Sequence, residues 1–222
     1  MIGASLLVVT VVGCGSEGDL ESARDSPASS RMEEVEMTSG PLVMFLGDSL
    51  TAGYGLAEDQ AYPALLAQRW RDEGRSVRIV NAGISGDTTA GGLARIEWLL
   101  EQKPDVVVVE LGANDGLRGL SLEETRLNLD EIIHRSLQAG SRILLVGMKI
   151  PPSYGPEYST GFADLFGELA EARGVALLPF LLEGVAAVPD LNQADGIHPN
   201  AEGQYRLAEN VRAPLEQLLD DL

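Results

Sequence analysis

The chain has 222 residues, 45% of them apolar and 23% charged, which suits one domain built on one sizeable core. A formal net charge of -18 repels phosphate backbones and anionic membrane surfaces, so nucleic-acid binding is disfavoured, while a neutral or zwitterionic ligand in a local apolar groove is not. The single cysteine, Cys14, excludes an intrachain disulfide.

Residues 2–12 are almost wholly apolar and lead into Gly13 and Cys14. The run is too short to span a bilayer as a helix and suits the core of a signal peptide, although no Lys or Arg precedes it. Val11-Val12-Gly13-Cys14 resembles a bacterial lipobox, so residues 1–14 are expected to be a signal or lipobox-like segment. The expected location is the periplasm, or a membrane anchored through a lipidated Cys14. Residues 15–40 are rich in Ser, Glu, Gly and Asp and poor in large apolar residues; they read as a flexible acidic tether. The domain is expected over 41–222.

Leu42 to Leu46 has the length of a buried strand, and it runs into Gly47-Asp48-Ser49-Leu50-Thr51-Ala52-Gly53. A serine just past a strand end lies where open α/β sheets hold their ligands. On this stretch alone Ser49 reads equally as a nucleophile or as the N-cap of the next helix. Ala61 to Gly74 is helical, with Tyr62, Leu65, Leu66 and Trp70 on one face. Val77 to Asn81 is a second strand, followed by a glycine-rich turn over 82–89 and a helix carrying Leu93, Ile96 and Leu100. Val106 to Leu111 lacks any alternation, as a strand covered on both faces does, and ends in Gly112-Ala113-Asn114-Asp115-Gly116. Ser121 and Glu124 read as a capping box for a helix that stops at Gly140. Arg142 to Met148 is a strand, Tyr158 to Arg173 a helix, and Val175 to Leu178 a short strand. A final helix starts near Asn200, and Pro214 should kink or restart it.

Strands alternating with helices predict an α/β fold, a three-layer α/β/α sandwich around a parallel five-stranded sheet. Right-handed crossovers bring all strand carboxyl ends to one edge, which gathers the turns at Ser49, Gly86 and Asn114.

Only two histidines exist. His134 sits mid-helix, one turn after Asp130, as a solvated residue would. His198 lies in Asp195-Gly196-Ile197-His198-Pro199-Asn200, where a spacing of three lets Asp195 hold one ring nitrogen and turn the other towards Ser49. Capping the last helix is the alternative, but capping rarely needs a histidine. The Ser49 N–H, the Gly86 N–H and the Asn114 side chain are candidate donors to an oxyanion. Asp48, Asp87 and Asp115 are expected to hold their turns through backbone hydrogen bonds; a catalytic acid is the competing role for Asp48. Leu117, Ile150, Pro151, Tyr154 and Tyr158 are expected to line an acyl groove, with ordinary loop packing as the alternative. No metal constellation and no phosphate-binding glycine loop is present in the sequence.

These residues resemble the SGNH, or GDSL, hydrolase family. Gly47-Asp48-Ser49-Leu50 looks like its first block, Gly86 its second, Gly112-Ala113-Asn114-Asp115 its third and Asp195-Gly196-Ile197-His198-Pro199 its fifth. Within it, Ile84-Ser85-Gly86-Asp87-Thr88, 110–119 and Leu178-Pro179-Phe180 are most similar to the bacterial thioesterase, arylesterase and lysophospholipase group. The resemblance implies a flavodoxin-like fold, no cofactor, a triad of Ser49, Asp195 and His198, and an oxyanion hole of Ser49, Gly86 and Asn114. It implies hydrolysis of small acyl esters, thioesters or lysophospholipids, by a chain expected to act as a monomer. A carbohydrate acetylesterase and a catalytically idle, surface-binding lipoprotein are the rival expectations.

Overall fold

The computed structural model describes residues 40–222. The expected signal-like segment, and the tether up to residue 39, lie outside the described residues. Five parallel strands form one sheet in the order β2-β1-β3-β4-β5, with β1 Leu42–Gly47, β2 Arg78–Gly83, β3 Val106–Glu110, β4 Arg142–Val146 and β5 Ala176–Leu178. Parallel pairing sets Val43 beside Val106, Leu46 beside Ala82, and Leu144 beside Ala176. The helices are α1 Ser49–Ala52, α2 Tyr62–Asp72, α3 Thr89–Leu100, α4 Ala113–Leu117, α5 Leu122–Gln138, α6 Pro156–Arg173 and α7 Ala201–Asp220.

Packing follows from the strands' composition. Every residue of β1 and β3 is buried, as strands covered on both faces must be. One helix layer pairs α2 with α7, and the other runs from α3 through α5 to α6. Tyr62, Leu66 and Trp70 of α2 are fully buried, and Tyr62 meets Phe45 edge-to-face at 5.5 Å between ring centroids. The three-layer α/β/α architecture is therefore as the sequence implies, and the strand order is that of flavodoxin-like folds. In that order the chain moves one way from β1 to β2 and the other way to β3. The switch point lies between β1 and β3, where ligands bind in open sheets.

Three local readings need correction. The second strand continues through Gly83, because Ile84 N–H bonds to the Gly47 carbonyl and keeps the extended pairing going. The last helix neither stops nor restarts at Pro214. That proline removes one backbone donor, while Leu207, Val211, Leu215 and Leu219 on the buried face hold the helix to the core on both sides of it. The short helix α4 is an addition, and α1 is capped by Asp48 rather than by Ser49, the cap that one reading of the sequence gives it; each follows a strand end and holds a candidate site residue.

Candidate active site

The first turn after β1 sets the serine. Asp48 is the N-cap of α1, and its Oδ1 accepts from Leu50 N–H at 2.9 Å. Capping by Asp48 leaves the Ser49 hydroxyl, one residue on, free of that duty. Gly47 must lack a side chain here, since a Cβ would lie 2.1 Å from Thr51 Oγ1 and 2.8 Å from Glu110 Oε2. Arg95 of α3 fastens the strand ends from behind, donating to the carbonyls of Ala82 and Gly47 at 2.6 and 3.1 Å while pairing with Asp87 at 2.9 Å.

His198 arrives from the other end of the chain. Its Nε2 is 2.9 Å from Ser49 Oγ, and its Nδ1 is 2.7 Å from Asp195 Oδ2. Asp195 Oδ1 also accepts the backbone N–H groups of Ile197 and His198, at 2.9 and 3.0 Å. These bonds hold the Asp195 carboxyl down at about 2, with the His198 N–H first among the causes. With Nδ1–H directed at Asp195, Nε2 is left as the acceptor for the serine proton. Neither residue caps α7: Asn200 does, accepting from Gly203 N–H at 3.0 Å. The loop is tied to the serine's side by Gln193, whose Nε2 donates to the carbonyls of Tyr54 and Pro199, at 2.7 and 3.0 Å. The Tyr54 ring lies against the His198 imidazole at 4.6 Å between centroids.

The candidate oxyanion donors sit on three strand ends. Neither the Ser49 N–H nor the Gly86 N–H has a protein acceptor among the described residues. Gly86 adopts φ +81°, a conformation that side chains resist, and its carbonyl accepts from Arg118 at 2.8 Å. Asn114 Nδ2 donates one hydrogen to Asp48 Oδ2 at 3.0 Å, which fixes the amide and leaves a second hydrogen uncommitted. Asp115 holds its turn by a different route from the one expected: it accepts from Thr89 N–H and Oγ1–H at 2.9 and 2.6 Å, joining the turn after β3 to the start of α3.

The expected groove residues divide. Leu117, Pro151 and Tyr154 are exposed and Tyr158 half-buried. The hydroxyls of Tyr154 and Tyr158 donate to the carbonyls of Leu117 and Leu120, at 2.8 and 2.7 Å, so they clamp the start of α6 and the turn before it to the end of α4 and the loop after it. Ile150 is corrected: it is 7% exposed and belongs to the core, where it packs against Gly116 and supports the loop from below. His134 is exposed on α5, as expected.

Beneath the serine lies a group the sequence reading missed. Glu110, the last residue of β3, is completely buried. Its Oε2 accepts from Thr51 Oγ1 at 2.7 Å and from Asp48 N–H at 3.3 Å, and Tyr62 OH adjoins Thr51 Oγ1 at 2.9 Å. Burial pushes the Glu110 carboxyl well above the ordinary carboxylate range, and the neighbouring Asp48 charge raises it further. Asp48, 1% exposed, is raised to about 6, chiefly by desolvation. An acid closing a run of four valines was the available signal, since such a strand offers no solvent to its last side chain.

A hydroxyl on an imidazole, an imidazole on a carboxylate, and N–H donors converging from three strand ends form a site able to carry acyl transfer. The chain belongs to the GDSL-like lipase/acylhydrolase family, whose model matches residues 45–206. Among curated relatives it is 46% identical to esterase TesA of Pseudomonas aeruginosa over 83% of this chain and 92% of that one. It is 41% identical to the thioesterase 1/protease 1/lysophospholipase L1 of Escherichia coli K12, over 80% and 85% of the two chains. A crystal structure of TesA superposes with a TM-score of 0.78 at 47% identity, covering 80% of this chain and 99% of that chain.

Proposed function

We propose that the chain is a serine hydrolase that cleaves carboxylic esters and thioesters through an acyl-enzyme on Ser49. The observation that carries this reading is the continuous contact from Ser49 Oγ through the His198 ring to Asp195, at 2.9 and 2.7 Å. The names of its relatives, an esterase and a thioesterase/lysophospholipase, support the substrate class.

Ser49 Oγ attacks the acyl carbonyl carbon as its proton passes to His198 Nε2. The carbonyl oxygen becomes an oxyanion held by the Ser49 N–H, the Gly86 N–H and the free Asn114 Nδ2 hydrogen. As the intermediate collapses, His198 gives its proton to the departing alkoxide or thiolate, leaving an ester on Oγ. Water then attacks that ester with His198 again taking the proton. The carboxylic acid is released as Oγ recovers its hydrogen from His198. Asp195 keeps the ring in one orientation and stabilises its charged form throughout. Lysophospholipids fit within this class, since their headgroup lies beyond the acyl bond. Leu117, Pro151, Tyr154 and Tyr158 form the wall along which an acyl chain lies. The protein acts as a monomer, needs no cofactor or metal, and is exported, with Cys14 as a lipid attachment point.

Activity on p-nitrophenyl esters, acyl-CoA and lysophosphatidylcholine, with Ser49→Ala as the control, tests the reading alongside fluorophosphonate labelling. Labelling of the wild type and none of the variant is expected. No label on the wild type would leave a binding protein instead, and turnover confined to acetylated sugars would make it a carbohydrate acetylesterase. Radiolabelled palmitate that fails to reach Cys14 would end the lipid anchor alone.

A further inference from the structure

Two carboxyl groups are buried together beneath the nucleophile's turn, and their hydrogen bonds are unequal. Both Asp48 oxygens receive an N–H, Oδ1 from Leu50 and Oδ2 from Asn114. Glu110 Oε2 receives two donors, from Thr51 and from Asp48 N–H. Glu110 Oε1 is wholly buried and receives no donor among the described residues. Asp48 and Glu110 are tied together at the turn, where Asp48 N–H donates to Glu110 Oε2 at 3.3 Å, and each carboxyl bears on the other's proton. Two ionised carboxylates cannot share so dry a space, because each repels the other and neither has solvent to screen it. An oxygen that lacks a donor beside a carboxylate satisfied by two is where a shared proton belongs.

We propose that Glu110 is a neutral acid whose Oε1–H donates to the Asp48 carboxylate, making it a positioning residue for the oxyanion donor Asn114 and for the turn that carries Ser49. The assignment rests on the hydrolase reading above only for its effect on turnover. Hydrogens then run in one direction: Tyr62 OH to Thr51 Oγ1, Thr51 Oγ1–H to Glu110 Oε2, and Glu110 Oε1–H to Asp48. Asp48 in turn holds the Asn114 amide and Leu50 N–H. No atom in this chain reacts; it sets where Asn114 and Ser49 stand. The titratable groups facing the pair are Tyr62 of α2 and His198 of the acid–base loop, whose charge favours an ionised Asp48. The nearby Arg95 is engaged by the Gly47 carbonyl and Asp87.

Infrared difference spectroscopy of the intact protein at neutral pH provides a test that does not depend on activity. A carboxylic-acid carbonyl band, distinct from the carboxylate bands, is expected in the wild type and absent in Glu110→Gln. If no such band exists, or if it survives in Glu110→Gln and vanishes in Asp48→Asn, the assignment is overturned. For the positioning role, Glu110→Leu, which offers no donor, should lower kcat about ten- to a hundredfold with KM little changed. Glu110→Gln, whose amide can donate to Asp48, should restore most of that loss and remove the alkaline limb that loss of the shared proton gives the kcat profile. Equal kcat values and one common pH profile in all three proteins would refute the role. Should Glu110→Leu not fold, the profile of Glu110→Gln against wild type decides. Absence of fluorophosphonate labelling together with an intact infrared band would sink the hydrolase reading and leave the buried proton standing.

Discussion

The site contains two aspartates that do opposite things with their charge. Asp195 lies in an exposed loop, accepts two backbone N–H groups and an imidazole, and is held down at about 2. Asp48 lies under the sheet edge, accepts two N–H groups, and is nevertheless raised to about 6. Donor count hardly separates them. Surroundings do: solvent reaches Asp195, while Asp48 is desolvated and shares its space with Glu110. On the proposed mechanism Asp195 stays charged to balance an imidazolium, and it is kept where water supports that charge. An acid that only fixes neighbours can be kept where its protonation is shared.

The comparison breaks first at the exposed end. His198→Ala should lower kcat on a short p-nitrophenyl ester by a factor on the order of 10⁵–10⁶, and Asp195→Asn by about 10⁴, through the wrong tautomer. If Asp195→Asn costs less than tenfold, Asp195 is an ornament of the loop and the contrast collapses. Asn114→Ala should cost about 10²–10³ in kcat with KM nearly constant, because the donor serves the developing oxyanion more than the bound ester.

Stability against pH sharpens the contrast, since the two acids pull in opposite directions. The native Asp195 carboxyl sits below its ordinary 3.8, so its contribution is full above 3.8 and is lost as pH falls towards about 2. The native Asp48 carboxyl sits above 3.8, so stability is lost as pH rises from 3.8 through about 6. In urea titrations, Asp48→Asn should flatten the decline between pH 4 and about 6, and Asp195→Asn should leave that window alone. An unchanged slope in Asp48→Asn would show that its burial does not govern its protonation. The smallest effect is expected from Tyr54→Ala, which removes a ring contact worth about 0.5–1.5 kcal/mol from the imidazole and should lower kcat only a few-fold.

The strands, their order of alternation with helices, and the serine, histidine and aspartate were legible because each carries a local signature. The four valines of β3 have no alternation, and Asp195 and His198 are three residues apart beside a helix start. The parts that were not legible depend on long-range contacts. Nothing near Gln193 in the sequence announces that it reaches the Tyr54 carbonyl, 139 positions away. Glu110 reads as a strand's polar end until Thr51, Tyr62 and Asp48 are known to enclose it. A place for Ile150 in a groove follows from loops after strand ends usually facing outwards; this one turns inwards against Gly116. The helix α1 is too short for periodicity to reveal, and its cap is Asp48 rather than Ser49.

The contact between Ser49 and His198 joins positions 149 apart. During synthesis the ribosome therefore delivers Ser49 long before His198. Until the segment from Asp195 onward has emerged and α7 has docked, the Ser49 hydroxyl has no imidazole beside it. Gln204 of α7 also bonds to Leu50 and Tyr62, so docking of the last helix seats the first turn as well. On the proposed mechanism, a nascent chain gains its reactivity only with its final segment in place.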